Sequence, residues 1–275
     1  MVASLWTAGC GGSGSTSAPE PLLPARVTVP DAASQAEAQA RAVTPAATTV
    51  PLPTTTAPPP SPHADRIPTF AAPPSPPARK VALAAGPAAH LSRIATADPV
   101  AFITIDDGYV RHPDALALIR DSQVPVSLFL ISSVAAQDPK YFSDIREQTG
   151  AVIQAHSVTH ARLRGQSHEA QRREICGSAD QLQQLFGTRP TLFRAPGGLQ
   201  DATTRQVAAE CGMRAVMFWK EAVNDGRVQF QEGNRIQPGD VILMHFRSTF
   251  VEDYLAALRA IKDAGLTPAR LEDYL

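Results

Sequence analysis

The sequence predicts an α/β fold in which parallel strands, each followed by a helix, wind into a (β/α) barrel. Three observations carry this. From about residue 99 onward, short apolar runs alternate with stretches whose apolar residues recur at helical spacing. The runs are rich in Val, Ile, Leu and Phe along their whole length, as in strands covered on both faces. The polar and reactive residues fall at the C-terminal ends of strands, at Asp106, Asp107, His156, Arg194 and His245, where a barrel of this kind carries its site.

Residues 99–105 read as the first strand, and 113–122 as a helix with Leu116 and Ile119 turned inward. A second strand is expected over 125–131. The helix over 138–148 keeps Tyr141, Phe142 and Ile145 at helical spacing. Residues 151–154 make the third strand. The longest helix spans 167–185, with Ser167 as its N-cap. Residues 191–193 make a fourth strand, and 201–211 a helix capped by Asp201 and stopped by Gly212. Strands over 215–219 and 240–244 follow, the second behind the Pro238-Gly239 turn. A last helix over 251–264 is closed by Gly265, and 267–271 adds a short strand.

The front of the chain has a different composition. Of its 25 prolines, 18 lie before residue 100, and residues 11–90 are rich in Ala, Pro, Thr and Ser. Such a stretch buries too little apolar surface to offset the entropy of ordering. It therefore reads as a disordered linker of polyproline II character, with the folded domain over 91–275. A formal net charge of −1 gives no basis for a nucleic-acid partner. No apolar run reaches membrane-spanning length. Leu5-Trp6-Thr7-Ala8-Gly9-Cys10 resembles the end of a bacterial lipoprotein signal, in which small residues precede a cysteine that becomes lipidated. Thr7 stands where leucine is usual, and no basic or long apolar region comes first, so 1–10 reads as a truncated signal. A stray cysteine behind an ordinary N-terminus is the other reading. The expectation is an extracytoplasmic monomer, lipid-anchored through Cys10 or secreted into the cell wall. Cys176 and Cys211 then remain, as a disulfide or as two buried thiols, and their spacing leaves both open.

The chain is organised around Phe102-Ile103-Thr104-Ile105-Asp106-Asp107-Gly108, an apolar strand ending in two carboxylates and a glycine. Neighbouring side chains on a strand point to opposite faces. Gly108 allows a turn that could bring both carboxylates to one pocket, where they repel unless a cation or a shared proton intervenes. Taken singly, the stretch is also an ordinary Asp-Gly strand cap. His156-Ser157-Val158-Thr159-His160 follows the third strand. Histidines four apart share one face of a helical turn, so both can reach one metal, and a carboxylate from another strand end would complete a facial set. Arg194 ends the fourth strand, where it could neutralise and orient a carboxylate. Pro196-Gly197-Gly198 offers free backbone N–H groups at Gly197 and Gly198 for an oxyanion. His245 ends the sixth strand at the same end of the barrel.

Together these stretches resemble the NodB-like polysaccharide deacetylases, carbohydrate esterase family four. The family's Thr-Phe-Asp-Asp-Gly motif is matched by Thr104-Ile105-Asp106-Asp107-Gly108. Its His-Ser/Thr-x-x-His motif is matched by residues 156–160, Arg-x-Pro by Arg194-Ala195-Pro196, and Leu-x-His by Leu243-Met244-His245. The resemblance covers residues 95–275 and implies the family's distorted barrel. It implies that Asp107, His156 and His160 hold one divalent cation, expected to be zinc, and that Asp106, tethered by Arg194, is the general base. It further implies the Gly197 N–H as oxyanion donor and His245 as general acid, with Asp225 as the partner that keeps His245 charged. Two departures bear on the sugar groove. Gly197 stands where an aromatic is usual. In Trp219-Lys220-Glu221-Ala222-Val223-Asn224-Asp225-Gly226, Ala222 and Gly226 replace an aspartate and a second tryptophan. The implied activity is removal of N-acetyl groups from an extracytoplasmic polysaccharide such as peptidoglycan or a chitin-like glycan. O-acetyl esterase activity on the same machinery, and a glycan-binding module with an inactive site, are the alternatives.

Overall fold

The computed structural model describes residues 58–78, 80–83 and 85–275; the Cys10 box and residues 11–57 of the linker expected over 11–90 lie outside the described residues. The strands are β1 (Ala89–Leu91), β2 (Val100–Asp107), β3 (Val126–Leu130), β4 (Val152–Ala155), β5 (Leu192–Phe193), β6 (Ala215–Met217), β7 (Glu221–Asn224), β8 (Arg227–Phe230), β9 (Val241–His245) and β10 (Thr267–Pro268). The helices are α1 (Ala115–Ser122), α2 (Ser132–Ala135), α3 (Pro139–Thr149), α4 (His168–Phe186), α5 (Ala202–Glu210) and α6 (Phe250–Asp263). The strands form one sheet in the order β1-β6-β5-β4-β3-β2-β9-β7-β8, with β10 also on β2. Among the described residues every pairing between these strands is parallel except β7 with β8. The sheet curls into a half-barrel. The chain after β1 meets the foot of β9 through a single bridge, Arg93 to Asp240.

Period-two alternation sorts the strand residues into two buried layers. Ile103, Ile105, Leu128, Leu130, Phe193, Val216, Ile242 and Met244 face the helices. Phe102, Phe129, Leu192, Met217 and Val241 face the concave interior, where Tyr274 and Leu275 from the C-terminus also pack. Both faces are covered, which is why these runs are apolar throughout.

The helix ends obey local chemistry. Asp138, Ser167 and Asp201 each accept a backbone N–H in the first turn of α3, α4 and α5, and Asp201 forms a reciprocal capping box with Thr204.

Three expectations change. The packed structure begins well before residue 91. Arg66 makes a two-bond ion pair with Glu252, Lys262 donates to the Thr69 carbonyl, and Ile67 and Phe70 pack on the core. Residues 58–78 therefore form a strap over α1 and α6, because this proline-rich stretch carries enough apolar anchors to be held. A cavity of about 530 Å³ lies between the strap and the foot of β3, far from the carboxylate end of β2. The strand expected over 215–219 stops at Met217. Phe218 N–H still donates to the Leu91 carbonyl of β1, while Lys220 N–H donates to Val241 at the start of β9. Residues 221–230 form the β7–β8 hairpin, with Asp225 (φ 51°) and Gly226 (φ 71°) as a two-residue turn. Asp-Gly is the strongest short hairpin signal, and the reading above had assigned these residues to the groove wall instead.

Candidate active site

Alternation along β2 points Thr104 and Asp106 into the barrel mouth, in the same layer as Phe102. Asp107 should point the other way. It does not, because its own backbone turns to φ 76°, with Gly108 following at φ 98°. The Asp107 carbonyl still accepts from Ile131 N–H at 3.1 Å, so the strand pairing survives the twist. A left-handed aspartate is costly and persists only where its surroundings hold it.

Arg194 joins two halves of the site. Its side chain is fully buried and crosses from the end of β5 to β2. One guanidinium nitrogen donates to Asp106 Oδ1 at 2.6 Å and to Thr104 Oγ1 at 2.8 Å, and the other to the Phe218 carbonyl at 3.1 Å. The Phe129 ring lies 4.4 Å below it. A buried guanidinium needs such partners, since removing one leaves an uncompensated charge. The Arg194 carbonyl lies 2.8 Å from His156 Nδ1. That bond places the proton on Nδ1 and leaves Nε2 as a lone pair facing the carboxylates.

His156 Nε2 and His160 Nε2 stand 3.5 and 3.6 Å from Asp107 Oδ1, and the three ligand atoms lie within 4.8 Å of one another. Asp107 Oδ1 is buried and accepts no hydrogen bond among the described residues. Four-coordinate zinc with ligands at about 2.0–2.1 Å spaces them about 3.3–3.4 Å apart. The orphaned oxygen, the two imidazoles and their spacing fit one small divalent cation. The route differs from the one expected, however. Residues 156–160 are not a helical turn: Ser157 and His160 both adopt left-handed backbone, at φ 68° and 64°. The loop folds back sharply enough to bring both rings to Asp107.

The charges are tightly coupled. Burial works against ionised Asp107, but the charges of His156, His245 and His160 outweigh it and lower its pKa. Burial also opposes the charge on His156, and Asp106 and Asp107 overcome it, so its pKa is raised. His160 moves down through burial and the neighbouring His156.

His245 lies beside Asp106 in the β2–β9 register. Its pKa is lowered, first by burial and also by Arg247, against the pull of Asp106 and Asp107. The expected partner Asp225 is not there. It is exposed in the β7–β8 turn, and His245 Nδ1 is buried with no hydrogen bond among the described residues. The Asp-Gly turn carries that carboxylate past the end of the strand pair, so Asp225 has no role in holding His245. Asn224, which precedes it, accepts from Arg247 at 2.6 Å.

The Pro196–Gly198 turn divides its two N–H groups. Gly198 donates to Ala195 at 2.8 Å and is therefore not free, contrary to expectation. Gly197 is exposed at φ 61°, and a Cβ there would meet nothing closer than Leu199 Cγ at 4.0 Å. The wall that an aromatic would form is open. Gly198 has no such room. A Cβ would come within 2.1 Å of the Phe218 ring, which stacks on Trp219 at 4.1 Å. Two supports had no role assigned from the sequence: Thr104 beneath Arg194, which was named only within its motif, and Glu174 behind the histidine loop. Thr104 could have been found, being the one polar residue inside an apolar strand; nothing local marks Glu174.

Comparison with known proteins agrees with this geometry. The family model described as polysaccharide deacetylase matches residues 93–216. The chain is 38% identical over 192 residues to the uncharacterized protein SCO4760 of Streptomyces coelicolor, covering 67% of this chain and 76% of that one. It is 27% identical over 180 residues to the bifunctional xylanase/xylan deacetylase of Cellvibrio japonicus, covering 62% of this chain and 27% of that one. The Bc1960 peptidoglycan N-acetylglucosamine deacetylase shares the fold at a TM-score of 0.56 and 21% identity, over 68% of this chain and 92% of that one. With the half-barrel and the ordered motifs at its strand ends, the chain belongs to the polysaccharide deacetylases, the NodB-like carbohydrate esterases of family four.

Proposed function

We propose that this chain removes N-acetyl groups from an extracytoplasmic polysaccharide, peptidoglycan or a chitin-like glycan, with one divalent cation, zinc, held by Asp107, His156 and His160. The observation that carries the reading is the division of labour between adjacent carboxylates. Asp106 is held by Arg194, while Asp107 offers an unpartnered oxygen to two histidines. A cation bound there acidifies a water and polarises the acetyl carbonyl.

The remaining steps belong to the chain. Asp106, fixed through Oδ1, accepts the proton of the attacking water on Oδ2. The N–H of Gly197 donates to the carbonyl oxygen as it gains charge. His245, beside Asp106 at the mouth, takes the proton that Asp106 removed from the water and passes it to the departing nitrogen. Water is consumed, the C–N bond breaks, and acetate and an amine leave. The lipoprotein-like Cys10 box and the Cys176–Cys211 disulfide favour an oxidising, extracytoplasmic setting. The second reading, O-acetyl hydrolysis, is favoured by similarity to a xylan deacetylase.

The test is acetate release by the full chain from N-acetylated peptidoglycan, chitooligosaccharide and acetylated xylan, with and without added zinc. Zinc-dependent release from an amide substrate is expected, with Asp106→Asn lower by about 10²–10⁴-fold. Release from xylan alone would favour the esterase. No release with any metal would sink both readings.

A further inference from the structure

We propose that Glu174, on α4, is the positioning residue that sets the His156–His160 loop for its metal. The proposal rests on the reading of Asp107, His156 and His160 as metal ligands. From the first histidine to the second the chain reverses through left-handed backbone at Ser157 and at His160 itself. Backbone of this kind persists only when the surroundings over-determine it. Here the surroundings act from two sides. Glu174 Oε2 accepts the N–H groups of Val158 at 3.0 Å and Thr159 at 2.9 Å, and Oε1 accepts the Thr159 hydroxyl at 2.8 Å. From the other side, Ser132 and Ser133 at the start of α2 donate their N–H groups to the carbonyls of Ser157 and Val158, at 3.1 and 3.2 Å. Within the loop, His160 N–H donates to Ser157 Oγ at 2.9 Å. The three N–H groups of Val158, Thr159 and His160 are therefore all engaged, two of them by one carboxylate.

Glu174 forms no ion pair among the described residues, so its three bonds to the loop are its visible work. α4 is shaped to receive the loop at a second point. One turn on from Glu174 is Gly177, where a Cβ would lie 3.2 Å from Val158 Cγ2. The loop can seat this closely because that position has no side chain. Glu174 touches no reacting atom. It acts through the backbone that presents the His160 ring, as outer-shell partners of metal ligands do, and loss of such partners weakens metal binding about 10–100-fold.

The test measures metal rather than turnover. Zinc affinity is read on the full chain by competition with a chromophoric chelator, and the cobalt form by its d–d absorption. Glu174→Ala should bind zinc about 10–100-fold more weakly, with an altered cobalt spectrum. Glu174→Gln, whose amide oxygen can still take both N–H groups, should stay within about threefold of wild type. Glu174→Asp keeps the charge but falls a methylene short, and should resemble Glu174→Ala; this pair decides the matter should Glu174→Ala not fold. Wild-type affinity and spectrum in Glu174→Asp would overturn the proposal, as would a Gln variant as weak as Asp, which would show the charge acting instead of the hydrogen bonds. A wild-type chain that binds neither ion would sink the metal reading itself, a different failure from normal binding in the variants.

Discussion

Asp106 and Asp107 are the same residue type one position apart, yet their environments assign them different work. The first keeps the strand's alternation and meets a buried guanidinium; the second breaks it at φ 76° and is left with a bare oxygen. A similar local decision governs Glu221 at the foot of β7. Burial first, and then the neighbouring Asp240, raise its carboxyl from 4.5 to about 9, against the pull of Arg93 and Lys220. Its folded value lies above its unfolded one. Its contribution to stability is therefore complete below about 4.5 and is lost as pH rises through about 9. Glu221→Gln cannot ionise, so its thermal midpoint should fall less than the wild type's between pH 6 and 9.5. Parallel declines in the two proteins would count against a neutral Glu221. Nothing in the sequence marks this residue, because its shift comes from burial and from Asp240, which lies at the foot of β9, distant in sequence.

At the scale of elements, helix boundaries were the most readable feature. Ser167 and Asp201 were legible as caps because a cap bonds within its own first turn. The Cys176–Cys211 disulfide was not legible as such, since both pairing and free thiols suited the spacing. It ties α4 to the end of α5 across 35 residues. Closing a loop of that length stabilises by about 2–4 kcal/mol. The double variant Cys176→Ala/Cys211→Ala should lower the denaturation midpoint accordingly, and wild-type protein under reductant should approach it. A double variant as stable as the oxidised wild type would show that the bridge contributes little. The β7–β8 hairpin is the opposite case, since its Asp-Gly signal was present and a family expectation for Asp225 displaced it.

At the scale of the whole molecule, the strap over 58–78 extends the folded unit beyond the boundary expected at residue 91. Ile67 and Phe70 each cover apolar surface between helices, on the order of 1 kcal/mol apiece for half-buried side chains. Deleting 58–78 should lower the thermal midpoint by about 4–8 °C and leave zinc binding unchanged, since the strap contacts none of the metal ligands. An unaltered midpoint would return the strap to the linker.

The sequence by itself determined the order of the central strand–helix units, the Ser167 and Asp201 caps, and the residues at the strand ends. Those features depend on period, local hydrogen bonding and chain direction, all of which act over a few residues. Only the tertiary structure decided that Asp107 turns inward, that the histidine loop is left-handed and held by Glu174, that Asp225 stands away from His245, and that two cysteines meet. Each of these depends on which distant groups become neighbours once the sheet curls, and on what burial then does to backbone and charge.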